Sequence, residues 1–135
     1  MLHSAATRTS CGVQNPRKLE IYDLALELAV NTYRLTRDFP QDERFGMTSQ
    51  LRRAAVSVGC NIAEGCGRPG LREYLNFLGI AMGSASELTF LFDLGERLEF
   101  GDPACLEQVR NDHDHLRRKT IALITSLRSR RDRQP

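Results

Sequence analysis

Apolar residues recur every three or four positions along most of this chain, and no strict two-residue alternation runs between turn-forming clusters. That spacing predicts helices and no strands. The first predicted helix covers residues 17–37. Tyr22, Ala25, Leu26, Ala29 and Tyr33 mark one stripe on it; Ile21, Leu24, Leu28 and Leu35 mark a second beside it. Pro40 stops it, because proline disfavours a helical residue before it. The second covers residues 48–64, with Thr48 or Ser49 as cap and Leu51, Ala54, Ala55, Val58 and Ile62 as its apolar face. Gly65 and Gly67 are expected to end it, since glycine tolerates the left-handed C-cap conformation. The third covers residues 71–99, with Gly70 at the N-cap and Glu73 three residues on. Leu71, Tyr74, Leu75, Leu78, Met82, Ala85, Leu88 and Leu91 form one face; Phe77, Ile80, Ala81, Phe92 and Leu94 widen it. The fourth covers residues 103–128. Asp102 as cap and Pro103 at the first helical position mark its start. Val109, Leu116, Ile121, Leu123, Ile124 and Leu127 supply its apolar positions.

Four long helices with short connections predict an all-α, antiparallel up-down four-helix bundle. At 135 residues the chain suits one domain. We divide it into a disordered lead-in (1–16), the bundle (17–128) and a basic tail (129–135).

A helix in a lone bundle needs one apolar stripe about 100° wide. The first and third helices carry more, and surplus apolar surface is covered or aggregates. Burial against identical subunits is therefore expected. Ala55, Gly59 and Ala63 on the second helix, and Gly79 and Gly83 on the third, make smooth rows for close helix packing. A mid-helix glycine costs about 1 kcal/mol relative to alanine, and tight packing is the usual compensation.

Composition changes this picture little, since 41% apolar and 27% charged residues are ordinary for a soluble globular domain. Charge distribution changes it more. Residues 117–133 hold seven basic side chains and one acid, a local +6 in a chain of net +2, so the remainder sums to −4. No apolar run is expected to reach the roughly 18–20 residues of a membrane span, and the lead-in lacks a secretory apolar region. The cysteines, Cys11, Cys60, Cys66 and Cys105, form no CxxC pair. Reduced thiols and a cytoplasmic location are expected.

The candidate chemistry is mainly that of arginine, which donates paired hydrogen bonds to phosphate oxygens. Arg52 and Arg53 on the second helix, and Arg117, Arg118, Lys119, Arg128, Arg130 and Arg131 on the fourth, are candidate nucleic-acid contacts. The alternatives are salt bridges between helices or subunits for Arg52 and Arg53, and a solubilising tail for the last group. No sequence-reading motif is present, so RNA or DNA binding would be non-specific. Asn61 and Glu64, like Ser84 and Glu87, are three residues apart and are expected as structural polar groups. A carboxylate pair of Glu64 and Glu87 is the one enzymatic arrangement on offer. Without a nucleophile beside a base or a phosphate loop, no enzyme is expected. Cys60, Cys66, His113 and His115 lack zinc-ligand spacing. Both histidines are expected to be solvated, and no cofactor is expected.

Three stretches then read as more than a generic bundle: Phe39-Pro40 with Glu43-Arg44-Phe45-Gly46; Gln50-Leu51-Arg52-Arg53-Ala54-Ala55-Val56-Ser57 running into Asn61-Ile62-Ala63-Glu64-Gly65; and Phe77-Leu78 with Ile80-Ala81-Met82-Gly83-Ser84 and Glu87-Leu88. Over roughly residues 18–125 the chain resembles the four-helix-bundle family of the 23S rRNA intervening sequence protein. Leu19, Tyr22, Ala25 and Leu28 fit that family's opening motif. The resemblance implies an antiparallel bundle in a homopentameric ring, with no settled biochemical role. A related branch, the accessory proteins of diversity-generating retroelements, implies basic pentamers that bind nucleic acid and a reverse transcriptase. Gly70 stands where the family has Ser or Thr. Arg68-Pro69-Gly70, Cys60 and Cys66 also depart from its pattern, which puts the local loop geometry in doubt. The arginines after Leu127 lie outside the shared region.

Overall fold

The computed structural model describes residues 15, 16 and 19–133. The expected lead-in, apart from Asn15 and Pro16, and the last two residues of the basic tail lie outside the described residues. Among those described are four α-helices and no strand: α1 (Glu20–Thr36), α2 (Met47–Cys66), α3 (Leu71–Arg97) and α4 (Pro103–Asp132). One short 3₁₀ turn, Gln41–Glu43, links α1 to α2. α1 and α3 each pack against both α2 and α4. The register follows from four contacts. A Cβ at Gly59 would sit 3.4 Å from Ala25. Ser57 Oγ lies 2.9 Å from Ser84 Oγ, His113 meets Ala85, and Asn31 Nδ2 donates to Asp112 Oδ2 at 2.6 Å. All are consistent with antiparallel neighbours in an up-down bundle.

Each helix contributes a seam of buried residues spaced three or four apart. On α1 it is Ile21, Ala25, Leu28, Thr32 and Leu35; on α4 it is Leu106, Val109, His113, Leu116, Thr120, Ile124 and Leu127. Burying one such leucine contributes about 1.5–3 kcal/mol. The α4 seam corrects the sequence expectation. Ile121 points outward, and Leu106, His113 and Thr120 take core positions. His113 is therefore buried rather than solvated.

Both ends of α2 also differ from expectation. Its N-cap is Gly46, and the Glu43 carboxylate in the preceding turn accepts the Met47 N–H at 3.0 Å. Thr48 is buried instead of capping. At the other end Gly67 is the C-cap, as expected, but in the right-handed conformation (φ −84°), and Gly65 lies within the last turn of the helix. A Cβ there would come 2.8 Å from Phe77 Cβ and 3.3 Å from the Tyr74 carbonyl. Gly65 serves close approach of α2 to α3, not termination. A left-handed C-cap closes α3 instead, and Glu99 (φ 59°) occupies it. Phe100 N–H donates to Gly95 O at 2.9 Å and Glu99 N–H to Glu96 O at 3.0 Å, the paired bonds of a Schellman motif. At α4 the expected cap holds: Asp102 accepts from Ala104 N–H at 3.2 Å.

By length and mean hydropathy (1.3 over 18 residues) α3 meets the measure of a membrane span, contrary to expectation. Only 33% of that window is buried in the bundle. Its exposed positions, Gly79, Ile80, Gly83 and Phe90 among them, form an outward ridge.

Candidate nucleic-acid interface and assembly surface

On the outside of α1, the stripe of Leu26, Val30 and Tyr33 stays exposed. Beside it, Tyr22, Ala25, Leu26 and Ala29 from α1 and Ala55, Val56, Gly59, Cys60 and Ala63 from α2 line an apolar groove of about 250 Å³. The small-residue row on α2 thus does two things. Gly59 lets α1 approach at Ala25, and the row floors the groove. The row on α3 packs on nothing among the described residues: a Cβ at Gly79 or Gly83 would have no neighbour there within 4 Å. Ile80 and Phe90 flank these glycines, Phe90 being 67% exposed.

The candidate phosphate-binding residues fall into two groups. Arg52 and Arg53 are both engaged between helices. Arg52 Nε donates to Thr36 Oγ1 at 2.8 Å, and its guanidinium lies 4.4 Å from the Tyr33 ring centre. Arg53 pairs with Glu87 across α2 and α3. On α4, Arg117 is half-buried and its Nε has no partner. Arg118 pairs with Asp114 at 2.9 Å, and Lys119 approaches Glu20 at 3.5 Å. Arg131 binds Asp132. Arg128 and Arg130 are exposed and form no ion pair among the described residues.

Antiparallel packing brings the last turns of α4 level with the α2–α3 turn. That end therefore also carries Arg68 and Arg72, which sequence reading had not singled out as phosphate contacts. Arg68 binds Glu64 at 2.7 Å and lies over the Phe77 ring at 5.0 Å; its Nε is buried without a partner. Arg68, Arg72, Glu73, Asn76 and Phe77 line an open cleft of about 540 Å³. Nearby, Tyr74 is buried, and burial, with a smaller push from Cys66, raises its hydroxyl pKa to about 12 against the pull of Arg130. The signal available in sequence was topological: any up-down bundle puts the end of its fourth helix beside the start of its third.

The opposite end is acidic. Glu96, Glu99 and Glu107 surround a second cleft of about 530 Å³ with Arg110, and Arg110 spans Asp93 at 3.0 Å and Glu96 at 2.7 Å.

The expected polar group divides in two. Asn61 Nδ2 donates to Ser57 O at 2.9 Å and to Ser57 Oγ at 3.1 Å, and Ser57 meets Ser84. Glu64 and Glu87 belong to separate ion pairs. Gly65 faces Phe77, so Glu64 lies about ten residues of α3, roughly 15 Å, from Glu87. They do not share a site.

His113 Nε2–H donates to Ala85 O at 2.6 Å, and its ring meets Phe92 edge-on at 5.7 Å. Burial lowers its pKa; the Ala85 bond opposes this, and Arg117 adds to it. Cys60 is exposed, Cys66 buried and Cys105 half-buried. No cluster of three metal-ligating side chains occurs among the described residues.

No curated protein matches the chain. It is similar to a crystal structure of a protein with unknown function from the S23 ribosomal protein family of Bacteroides thetaiotaomicron, with a TM-score of 0.71 and 27% identity. That likeness covers 78% of this chain and 95% of the other. Residues 17–122 match the 23S rRNA-intervening sequence protein family, across all four helices and the Arg-Arg-Ala-Ala and Asn-Ile-Ala-Glu-Gly blocks of α2, and the chain belongs to that family.

Proposed function

We propose that this protein is a non-enzymatic helical scaffold that assembles with copies of itself and binds nucleic acid, without sequence preference, through its arginine-bearing end. The resemblance of its motifs to a ring-forming family makes a pentamer the expected assembly. One observation carries the reading: surface chemistry is segregated. Leu26, Val30, Tyr33, Val56, Ile80 and Phe90 expose apolar surface on α1, α2 and α3, while Arg72, Arg128 and Arg130 form no ion pair among the described residues and stand at one end. In a ring each copy adds its arginines to the same rim. Polyanion affinity grows with the number of phosphates neutralised and falls steeply with salt.

Light scattering and electrophoretic mobility shift on one sample test this. The expected result is a mass several times 15.3 kDa and a shift with structured RNA and duplex DNA that fades as salt rises. A 15 kDa particle, or no shift at about 50 mM salt, where such contacts are strong, removes the corresponding half of the reading.

A protein-binding adaptor, such as an accessory subunit of a reverse transcriptase, is the second reading. Phe45, 86% exposed beside Arg44 at the acidic end, favours it. Co-purification of a protein partner without nucleic acid, lost in Phe45→Ser, distinguishes it.

A further inference from the structure

The cleft at the α2–α3 turn differs in kind from the rest of the basic end. A surface that follows a duplex backbone needs only donors and cations, because phosphate and sugar oxygens there present acceptors. This cleft combines two guanidiniums, an amide, an aromatic ring and a carboxylate: Arg68, Arg72, Asn76, Phe77 and Glu73. Glu73 would repel a phosphate track. It would accept a hydrogen bond from a base amino group or a ribose hydroxyl, which an unpaired nucleotide offers freely.

The remaining groups suit the same ligand. Arg68 is held by Glu64 through one terminal nitrogen and by the Phe77 ring beneath it. Its Nε–H is buried with no acceptor, a donor already desolvated and lacking the bond that would compensate it. Arg72 has no ion pair among the described residues and lies one helical turn from Asn76, on the same side of α3. The cleft volume, about 540 Å³, falls in the range of small-molecule sites. An arginine plane over an aromatic ring is also a surface on which an unpaired base can stack.

We infer that this cleft binds one unpaired nucleotide of a single-stranded nucleic acid, with phosphate on Arg68 and Arg72 and the base or ribose edge on Glu73 and Asn76. This rests on the nucleic-acid reading above and narrows it: the basic end favours single strands or loops over uniform duplex.

The test is fluorescence anisotropy of the full chain with a labelled 12-nucleotide single-stranded RNA, the matching single-stranded DNA and a 12-base-pair duplex, at one fixed salt concentration. Single strands should bind at least about tenfold tighter than duplex, a difference equal to 1.4 kcal/mol. Glu73→Gln should shrink that ratio severalfold by relieving the repulsion of duplex and weakening the single-strand contact. Arg72→Ala and Asn76→Ala should weaken the single strand more than the duplex. All three side chains are exposed, and circular dichroism checks the fold of each variant. Equal affinity for strand and duplex overturns the inference and leaves the arginine-end reading standing. So does a ratio that none of the three variants moves. No binding to any of the three probes overturns both.

Discussion

The outer surfaces of α1–α3 and of α4 are made from the same kind of chain and look nothing alike. α4 spends its apolar residues on one narrow seam, and its outward positions carry Glu107, Asp114, Arg118, Lys119, Arg128 and Arg130, with Ile121 as its single large exposed apolar side chain. α1, α2 and α3 fill their seams and then continue outward with Leu26, Val30, Tyr33, Val56, Ile80 and Phe90. A bundle needs only the first pattern to fold. The second is surplus to folding, and in the proposed assembly it is the surface that copies of the chain would cover. The sharpest way to break the comparison is to charge each surface in turn. Leu26→Glu with Val56→Glu should reduce the particle to a 15 kDa species by light scattering, several-fold lighter than the parent. Ile121→Glu should leave the mass unchanged. Equal loss of mass from both variants would show that the α1–α2 groove has no special part in assembly.

The second prediction concerns the charged surface. Among the described residues Arg128 and Arg130 have no carboxylate partner to release before they meet a phosphate, unlike Arg118 and Arg131, which are already paired. Arg128→Ala with Arg130→Ala should lower duplex affinity about tenfold near physiological salt and flatten the log–log salt slope by about 2. Arg52→Ala should leave the salt slope as it was. Its guanidinium sits on Tyr33 and bonds Thr36, so its loss should lower thermal stability instead. A reduced slope from Arg52→Ala would return that residue to the interface.

Sequence periodicity was enough to place all four helices, because each seam repeats at the helical period. It failed where the chemistry of a side chain hid its position. His113 and Thr120 occupy core steps of α4, but a polar residue breaks the apolar pattern, and Ile121 next door was taken in their place. Gly65 looked like a stop signal, since nothing in a one-dimensional pattern distinguishes a C-cap glycine from one pressed against Phe77. The α2 cap was missed for a related reason. Glu43 reaches it from a preceding turn, while the eye expects Ser or Thr at the cap itself. Among candidate site residues, the α4 arginines were legible as a run. Arg68, Arg72, Glu73 and Asn76 were not, because their convergence depends on how the α2–α3 turn is shaped.

His113 yields the third prediction, and it tests whether the α4 seam limits the bundle in acid. Its folded-state pKa is lowered, chiefly by burial, so the unfolded chain takes up the proton first as pH falls. Its stabilising contribution is complete above the ordinary imidazole value, about 6.5. It is lost as pH drops from there towards the folded value, with a slope of at most about 1.4 kcal/mol per pH unit. Urea unfolding at pH 8, 6.5 and 5 should show stability falling in the lower interval for the parent chain. His113→Leu should show a shallower fall. Parallel pH profiles for the two would place the acid sensitivity elsewhere.

Two glycines bring the comparison down to single atoms. Gly83 is mid-helix, where glycine costs about 1 kcal/mol relative to alanine; Gly65 is the penultimate residue of α2. A Cβ at Gly65 comes nearer the Phe77 Cβ (2.8 Å) than real Cβ atoms do and sits tightly against the Tyr74 carbonyl (3.3 Å), and backbone gives way reluctantly. Gly65→Ala should therefore destabilise the fold by about 1–3 kcal/mol, the usual range for overpacking. A Cβ at Gly83 meets nothing. In a dilute, dissociated sample Gly83→Ala should stabilise by up to about 1 kcal/mol, read as a higher urea midpoint with unchanged slope. If the α3 ridge is covered in the assembly, the same methyl will be crowded there, and Gly83→Ala should dissociate at a higher concentration than the parent chain. Stabilisation when dilute together with easier dissociation is the signature of a glycine kept for a neighbour outside the chain. Stabilisation at every concentration would mean that this part of α3 faces water in the assembly too, and that assembly relies on the α1–α2 groove alone.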